Sequence, residues 1–298
     1  MRLHVSRLLF ALVAALTAYL IASPAAGEAL FMGLGGLGGV GAFVSDARGG
    51  VSADGVVVVG AAKSAIGLQG YRWTLAGGMI PLGDLPGGTF SSQADAISAD
   101  GSTVVGTGRS DSGGEAFYKK ESELMVGLGF LSVGPSSVRD VSGDGSVIVG
   151  GSEPVGEAFV WTEATGMTSL GRGSGKGVSN DGTVIVGSGV DDQSGGPLAF
   201  RWTEATGKID LGDLPGGMVA AVATDVSGDG SVVIGRSWSL LGIEAFRWTE
   251  AGGMDAIGAL GASSALDVSF DGTWVVGGTQ QAGTSYAYVW DATNGVRT

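Results

Sequence analysis

The chain reads as an all-β protein, a β-propeller of six four-stranded blades, and three observations carry that reading. A ten-residue block recurs six times in 298 residues: VSADGVVVVG at 51–60, ISADGSTVVG at 97–106, VSGDGSVIVG at 141–150, VSNDGTVIVG at 178–187, VSGDGSVVIG at 226–235 and VSFDGTWVVG at 268–277. The block starts lie 46, 44, 37, 48 and 42 residues apart. Each unit holds segments for four strands, and four strands in ~40–45 residues, repeated, is the period of a propeller blade. A parallel β-helix is the runner-up, but its rungs need only about half that period, and the Asp-Gly dipeptides favour antiparallel hairpins.

The elements follow in order within a unit. An alternating stretch such as Ala265-Leu266-Asp267-Val268-Ser269 predicts the innermost strand. Asp-Gly then marks a tight turn, because Gly accepts positive φ. The valine- and isoleucine-rich run after it predicts the second strand. A loop leads to a second repeated block, GYRWT at 70–74, AFYKK at 116–120, AFVWT at 158–162, AFRWT at 199–203 and 245–249, and AYVWD at 287–291, which is rich in strand formers. A second turn, Glu-Ala-Thr-Gly at 163–166 and 204–207, precedes a short outer strand. That strand is carried by GGMIPLGDLPGG at 77–88, TGMTSLG at 165–171, TGKIDLGDLPGG at 206–217 and GGMDAIGALG at 252–261.

The last unit ends at Gly295-Val296-Arg297-Thr298, where its fourth strand would begin. The stretch Phe31-Met32-Gly33-Leu34-Gly35-Gly36-Leu37 aligns with Met79–Leu85, and residues 30–36 are expected to complete the sixth blade and shut the ring. Phe and Trp of AFRWT are two apart and share a strand face. Trp73, Trp161, Trp202, Trp248 and Trp290 recur at one slot, which predicts blade-to-blade packing over a sugar-stacking platform. Asp140, Asp225 and Asp267, each two before the repeat Ser, are expected to accept hydrogen bonds from a neighbouring blade or from Arg72, Arg201 or Arg247.

The blocks SxDGxxxVG, AFRWT and GMxxLGxLPGG resemble the HAF-repeat family of extracellular bacterial proteins, from about residue 30 to the C-terminus. The resemblance implies secretion and a repeat fold. It brings no catalytic residues and no established ligand. The second unit departs from the pattern with Lys119 in the Trp slot, and the short interval between the third and fourth units lacks the LPGG loop.

Residues 1–26 read as a signal peptide: Arg2 and Arg7 without acids, an apolar run from Leu8 to Ala22, then Ser23, Pro24, Ala25 and Ala26. The apolar run falls short of the ~20 residues of a membrane span, so no stable membrane insertion is expected. Residues 28–298 form the repeat domain, and the expected location is secreted or periplasmic. The net charge of −13 disfavours nucleic acid as a partner. No Cys is present and the one His is His4, in the signal segment, which excludes thiolate or His-based zinc sites and Ser-His-Asp triads from the remainder.

Function is then expected on the face whose loops vary, because varied loops on a rigid scaffold carry binding. The candidate ligand-binding residues there are Trp238, Asp84, Asp213, Arg109, Asp191, Asp192 and Arg236. Trp238 stands outside both repeat motifs, in Arg-Ser-Trp-Ser-Leu-Leu. The leading expectation is a non-enzymatic binding face for an extracellular protein or glycan. The alternative is a glycosidase-like enzyme, which needs only two carboxylates, such as Asp84 and Asp213. No cofactor is expected; Ca²⁺ at an Asp-rich loop such as Asp191-Asp192 is a weaker expectation.

Overall fold

The computed structural model describes residues 32–38, 45–47, 49–132, 134–153, 156–190, 195–258 and 261–298. It is all-β, and every pairing between named strands is antiparallel. The first repeat gives β1 (Ser45–Asp46), β2 (Val57–Ser64), β3 (Gly67–Thr74) and β4 (Gly78–Gly83); the second gives β5 (Ser92–Ile97), β6 (Thr103–Ser110), β7 (Gly113–Lys120) and β8 (Val126–Gly127). Next come β9 (Ser136–Val141), β10 (Val147–Ser152), β11 (Glu157–Thr162), β12 (Gly166–Val178), β13 (Ile185–Val190), β14 (Pro197–Thr203) and β15 (Gly207–Asp210). The fifth repeat supplies β16 (Gly216–Val226), β17 (Val232–Ser239), β18 (Gly242–Thr249) and β19 (Gly253–Ala256); the sixth supplies β20 (Ala262–Val268), β21 (Trp274–Gln281), β22 (Thr284–Asp291) and β23 (Gly295–Arg297).

The sheets are arranged as a β-propeller. Where six separate blades were expected, four separate four-stranded sheets form, and the third and fourth repeats merge into one seven-stranded sheet, β9 to β15. The short interval between those repeats is the reason. Without an LPGG loop, the outer strand of one runs directly into the inner strand of the next as β12, whose first half pairs β11 and whose second half pairs β13.

The expected closing strand is also corrected. Residues 32–36 form no strand, and residues 30 and 31 lie outside the described residues, as does the expected signal segment 1–26. The outer place beside β22 is filled by β23, with Val289 opposite Arg297 and Asp291 opposite Gly295. Gly33, Gly35 and Gly36 weaken the stretch as a strand, and Gly35 has a positive φ of 85°.

The SxDG turn is built from its own side chains. Ser52 Oγ donates to Asp54 Oδ1 at 2.6 Å and accepts from Val57 N at 3.0 Å, and the same pattern returns at Ser98, Ser142, Ser179, Ser227 and Ser269. The following Gly is required: Gly230 has φ of 73°, and a Cβ there would meet Val184 of the preceding repeat at 2.8 Å. Hydrogen bonds, with the Ser first, hold the carboxyls of Asp54, Asp181 and Asp229 below the usual range and that of Asp271 down to about 2.

Each repeat has a leading face, toward the preceding repeat, and a trailing face, toward the following one. In the first junction Val57, Val59 and Leu82 pack on Val104 and Phe117; in the fourth, Val184, Val186 and Leu211 pack on Val233, Phe246 and Trp248. Phe117, Phe159, Phe200 and Phe246 are fully buried, and Trp161, Trp202, Trp248 and Trp290 join these layers, as packing predicts. The turns are stitched as well. Ala53 N donates to Ala99 O, Asp100 N to Gly143 O, Gly143 N to Asn180 O, Asn180 N to Gly228 O and Asp229 N to Phe270 O, all at 2.9–3.1 Å.

Candidate functional site

Two places combine a rigid backbone with residues that the repeat does not dictate. The first is a set of β-bulges on the innermost strands. The register shifts between Ala94 and Ala96, opposite Val149 and Gly150, between Gly175 and Gly177, between Ala223 and Asp225, and between Ala265 and Asp267. The extra residues are Asp95, Arg139, Lys176, Thr224 and Leu266, five chemistries at one structural position. A bulge re-aims its side chain and releases it from the ladder. It also explains the invariant Gly of the repeat block: a Cβ on Gly106, Gly150, Gly187 or Gly235 would lie 2.0–2.1 Å from the bulged strand's carbonyl.

These residues sense one another across repeats, as strands around a common axis must. Burial raises the Asp95 carboxyl, against hydrogen bonds from Thr107 Oγ1 at 2.9 Å and Gln93 Nε2 at 2.8 Å and the charge of Arg139. Burial lowers the Lys176 ammonium, and Arg139 and Arg236 lower it further. Beside them, Asp140 bridges repeats by accepting from Val178 N at 2.9 Å, and Asp225 does the same from Val268 N at 3.2 Å. Burial pushes the Asp140 carboxyl up to about 7 and raises Asp225 strongly, with Asp140 and Asp267 adding to the latter. The alternative donors do not serve: Arg72 pairs with Glu121 at 3.3 Å, and the Nε atoms of Arg201 and Arg247 are buried without a partner.

The second place is the rim at the end away from the SxDG turns. Lys63, Arg109, Trp238 and Gln280 fall at one register position of the second strand, so the rim changes chemistry while the scaffold repeats. Arg109 is exposed on β6 and lines a groove with Ser91, Gln93, Thr107 and Pro135. Around Trp238 the rim is apolar. Trp238 is 37% exposed, and the β17–β18 turn presents Leu240 and Leu241 at 82% and 75%. Gly216 of β16 pairs with Ser239 and lies against Leu240, which brings exposed Met218 and Val219 from the same strand end to this turn.

Arg236 and Trp238 are two apart on β17 and share its face, with Arg236 near Lys176. Asp213 sits in the neighbouring loop, where Leu214 N donates to Ser237 Oγ at 3.0 Å; burial, then Asp210, raises its carboxyl. Asp84 belongs to the first repeat, with Oδ2 accepting from Ser91 N at 2.9 Å and Oδ1 buried without a partner. Nothing among the described residues pairs Asp84 with Asp213. Asp191 and Asp192 lie outside the described residues. No group of three or more carboxylate or His ligands suited to a metal occurs among the described residues. Sequence reasoning reached Trp238 but not Met218 and Val219, and it missed the bulge residues, whose only signal is that they vary inside a repeated strand.

No protein-family model matches the chain, and no curated protein does. Solved structures similar to it are propellers. The chain is similar to oligogalacturonate lyase from Vibrio parahaemolyticus, at 12% identity and a TM-score of 0.59, over 86% of this chain and 78% of that one. It is similar to the β-propeller domain of the Trilobed protease from Pyrococcus furiosus, described as having an open velcro topology, at 11% identity and a TM-score of 0.54, over 81% and 78%. It is also similar to TolB from Acinetobacter baumannii, at 12% identity and a TM-score of 0.52, over 80% of this chain and 61% of TolB. At these identities the likeness is one of fold. No helix among the described residues is long and apolar enough to cross a membrane.

Proposed function

We propose that this is an exported, non-catalytic propeller that binds a partner protein through the rim around Trp238. The observation that carries this is the cluster of five exposed apolar side chains, Trp238, Leu240, Leu241, Met218 and Val219, at one point of the rim, where the first, second and sixth repeats place Lys63, Arg109 and Gln280 at the Trp238 position. Water-exposed apolar clusters of this kind mark interaction surfaces, and Trp is among the residue types that most often anchor an interface. Arg236 beside Trp238 supplies a charge at the edge, as interface rims do. Export rests on the segment 1–26 and on the resemblance to HAF-repeat proteins. Asp84 and Asp213 stand in different repeats, and nothing among the described residues pairs their carboxylates for hydrolysis.

The test is a comparison of wild-type protein with Trp238→Ala and with Leu240→Ser/Leu241→Ser as baits against secreted and envelope fractions, alongside a glycan array. Because Leu240 and Leu241 are 82% and 75% exposed, their double Ser variant should melt within about 2 °C of wild type, and Trp238→Ala, at a partly buried side chain, is used only once its melt shows it folded. Loss of a retained protein in both variants supports the reading. Retention unchanged in both refutes it, and a glycan signal that disappears with Trp238→Ala moves the assignment to sugar.

A further inference from the structure

Five junctions between consecutive repeats are made, and among the described residues no hydrophobic cluster joins β20–β23 to β1–β4. The trailing face of the last sheet is bare where its counterparts are covered. Val276 is 44% exposed, whereas Val59, Val105, Val149, Val186 and Ile234 at the same position are fully buried. Trp274 is 46% exposed, whereas Val57, Thr103, Val184 and Val232 are buried. On the first sheet Val51 is 55% exposed, whereas Val141, Val178, Val226 and Val268 are buried on leading faces. Gly55 has nothing within 4 Å of where its Cβ would be, while Gly101, Gly145, Gly182, Gly230 and Gly272 all abut the preceding repeat.

We propose that the trailing face of β20–β23 is a docking surface for the leading face of β1–β4 of the same chain, so that the ring closes sheet on sheet and not through a borrowed strand. The five made junctions define what such a face accepts, namely the leading face of this repeat. The outer part of the first sheet is already enclosed, with Tyr71 fully buried, so its free zone lies at the Asp-Gly-turn end, where Trp274 and Val276 are exposed on the last sheet; that sheet's exposure also extends to Ala287. The polar groups match too. Asp140 and Asp225 each accept from the backbone N–H of the next repeat's Val178 and Val268; exposed Asp267 is their counterpart, and Val51 N–H is the donor it would meet. The turn carbonyl of Ala53 likewise stands where Ala99, Gly143, Asn180, Gly228 and Phe270 accept from the preceding turn. Both faces belong to one chain, so closure costs no bimolecular encounter and is favoured over docking of a second copy.

The chain has no Cys, which makes cross-linking clean. Ala53→Cys/Phe270→Cys is oxidised and run without reductant, with Ala53→Cys/Ala99→Cys as the control at a made junction, where Ala53 N lies 2.9 Å from Ala99 O. A disulfide bridges Cα atoms roughly 4.4–6.8 Å apart. An intramolecular disulfide formed as fast as in the control supports closure. Disulfide-linked multimers overturn it in favour of a second copy, and free thiols alongside an oxidised control overturn it in favour of an open seam. Val276→Asp is read independently: a closed seam buries the carboxylate and lowers the melting temperature by about 5 °C or more, while an unchanged melt overturns the proposal.

Discussion

Gly277 and Gly278 are neighbours on β21, and the structure assigns them opposite responses to alanine. The β20 bulge turns the Ser264 carbonyl toward Gly277, so an added Cβ would lie 2.2 Å from Ser264 O and 2.6 Å from Tyr288 Oη. Both are about 1 Å or more inside the ~3.5 Å of a good non-bonded contact. Neither neighbour yields cheaply, since one is backbone and the other belongs to a buried Tyr. Overpacking of this kind costs about 1–3 kcal/mol. At Gly278 the nearest atom is Tyr286 O at 3.9 Å, and its φ is not positive. There Ala should stabilise by about 0.4–1 kcal/mol by restricting the unfolded chain. The unfolded-state gain is common to both variants, so the difference between them isolates the clash. At ~2–4 °C per kcal/mol for a domain of this size, Gly277→Ala should melt roughly 3–10 °C below Gly278→Ala. Circular dichroism melts with matching urea titrations measure it. Equal melting temperatures, or a more stable Gly277→Ala, would refute the bulge as the reason for the repeat's invariant Gly.

Lys119 sits opposite Val104, as Trp248 sits opposite Val233, and its Nζ donates to Glu123 O at 2.6 Å beside a cleft of about 170 Å³ lined by Arg72, Ile80 and Leu82. Lys119→Trp should therefore stabilise by ~1 kcal/mol, the added apolar burial exceeding an exposed hydrogen bond, and urea unfolding will show it. Ser227, fully buried, ties Asp229 to Val232 N, so Ser227→Ala should cost about 1–2 kcal/mol in the same assay. The carboxyls have opposing signs. Asp140, raised from 3.8 to about 7, makes the native state bind the extra proton, so its contribution is lost as pH rises from about 4 through 7. Asp54, Asp181, Asp229 and Asp271 are lowered, so theirs is lost as pH falls below about 4. Melting temperature should therefore peak in mild acid. Asp140→Asn should flatten the decline toward neutral pH and leave the acid limb unchanged.

The features legible in the sequence are those that each repeat states in full. Ser, Asp and Gly of the turn and the β-branched run after it act within or between adjacent units, so six copies display them six times, and an aromatic followed two residues later by Trp recurs in five. The errors fall where a choice depends on partners that a linear pattern does not specify. Phe31–Leu37 matched Met79–Leu85 at Leu34, Gly35 and Leu37, but the edge that residues 30–36 were expected to fill is taken by Gly295–Arg297. Asp140, by contrast, meets the first of its two expected partners, the neighbouring repeat, through the backbone N–H of Val178. The rim at Trp238 showed only as an aromatic outside the motifs. Met218 and Val219 joined it only through the extension of β16 beyond the usual strand length.

The continuous β12 has a consequence for how the molecule can be altered. At the other joins a loop separates one module from the next, and extra residues there can be absorbed as slack. Between the third and fourth modules there is no slack: one backbone strand belongs to both, so a guest domain or a cut near Arg172 would tear pairing from both modules at once. Those two modules should therefore exchange amide hydrogens and yield to pulling as a single block, while their neighbours detach singly.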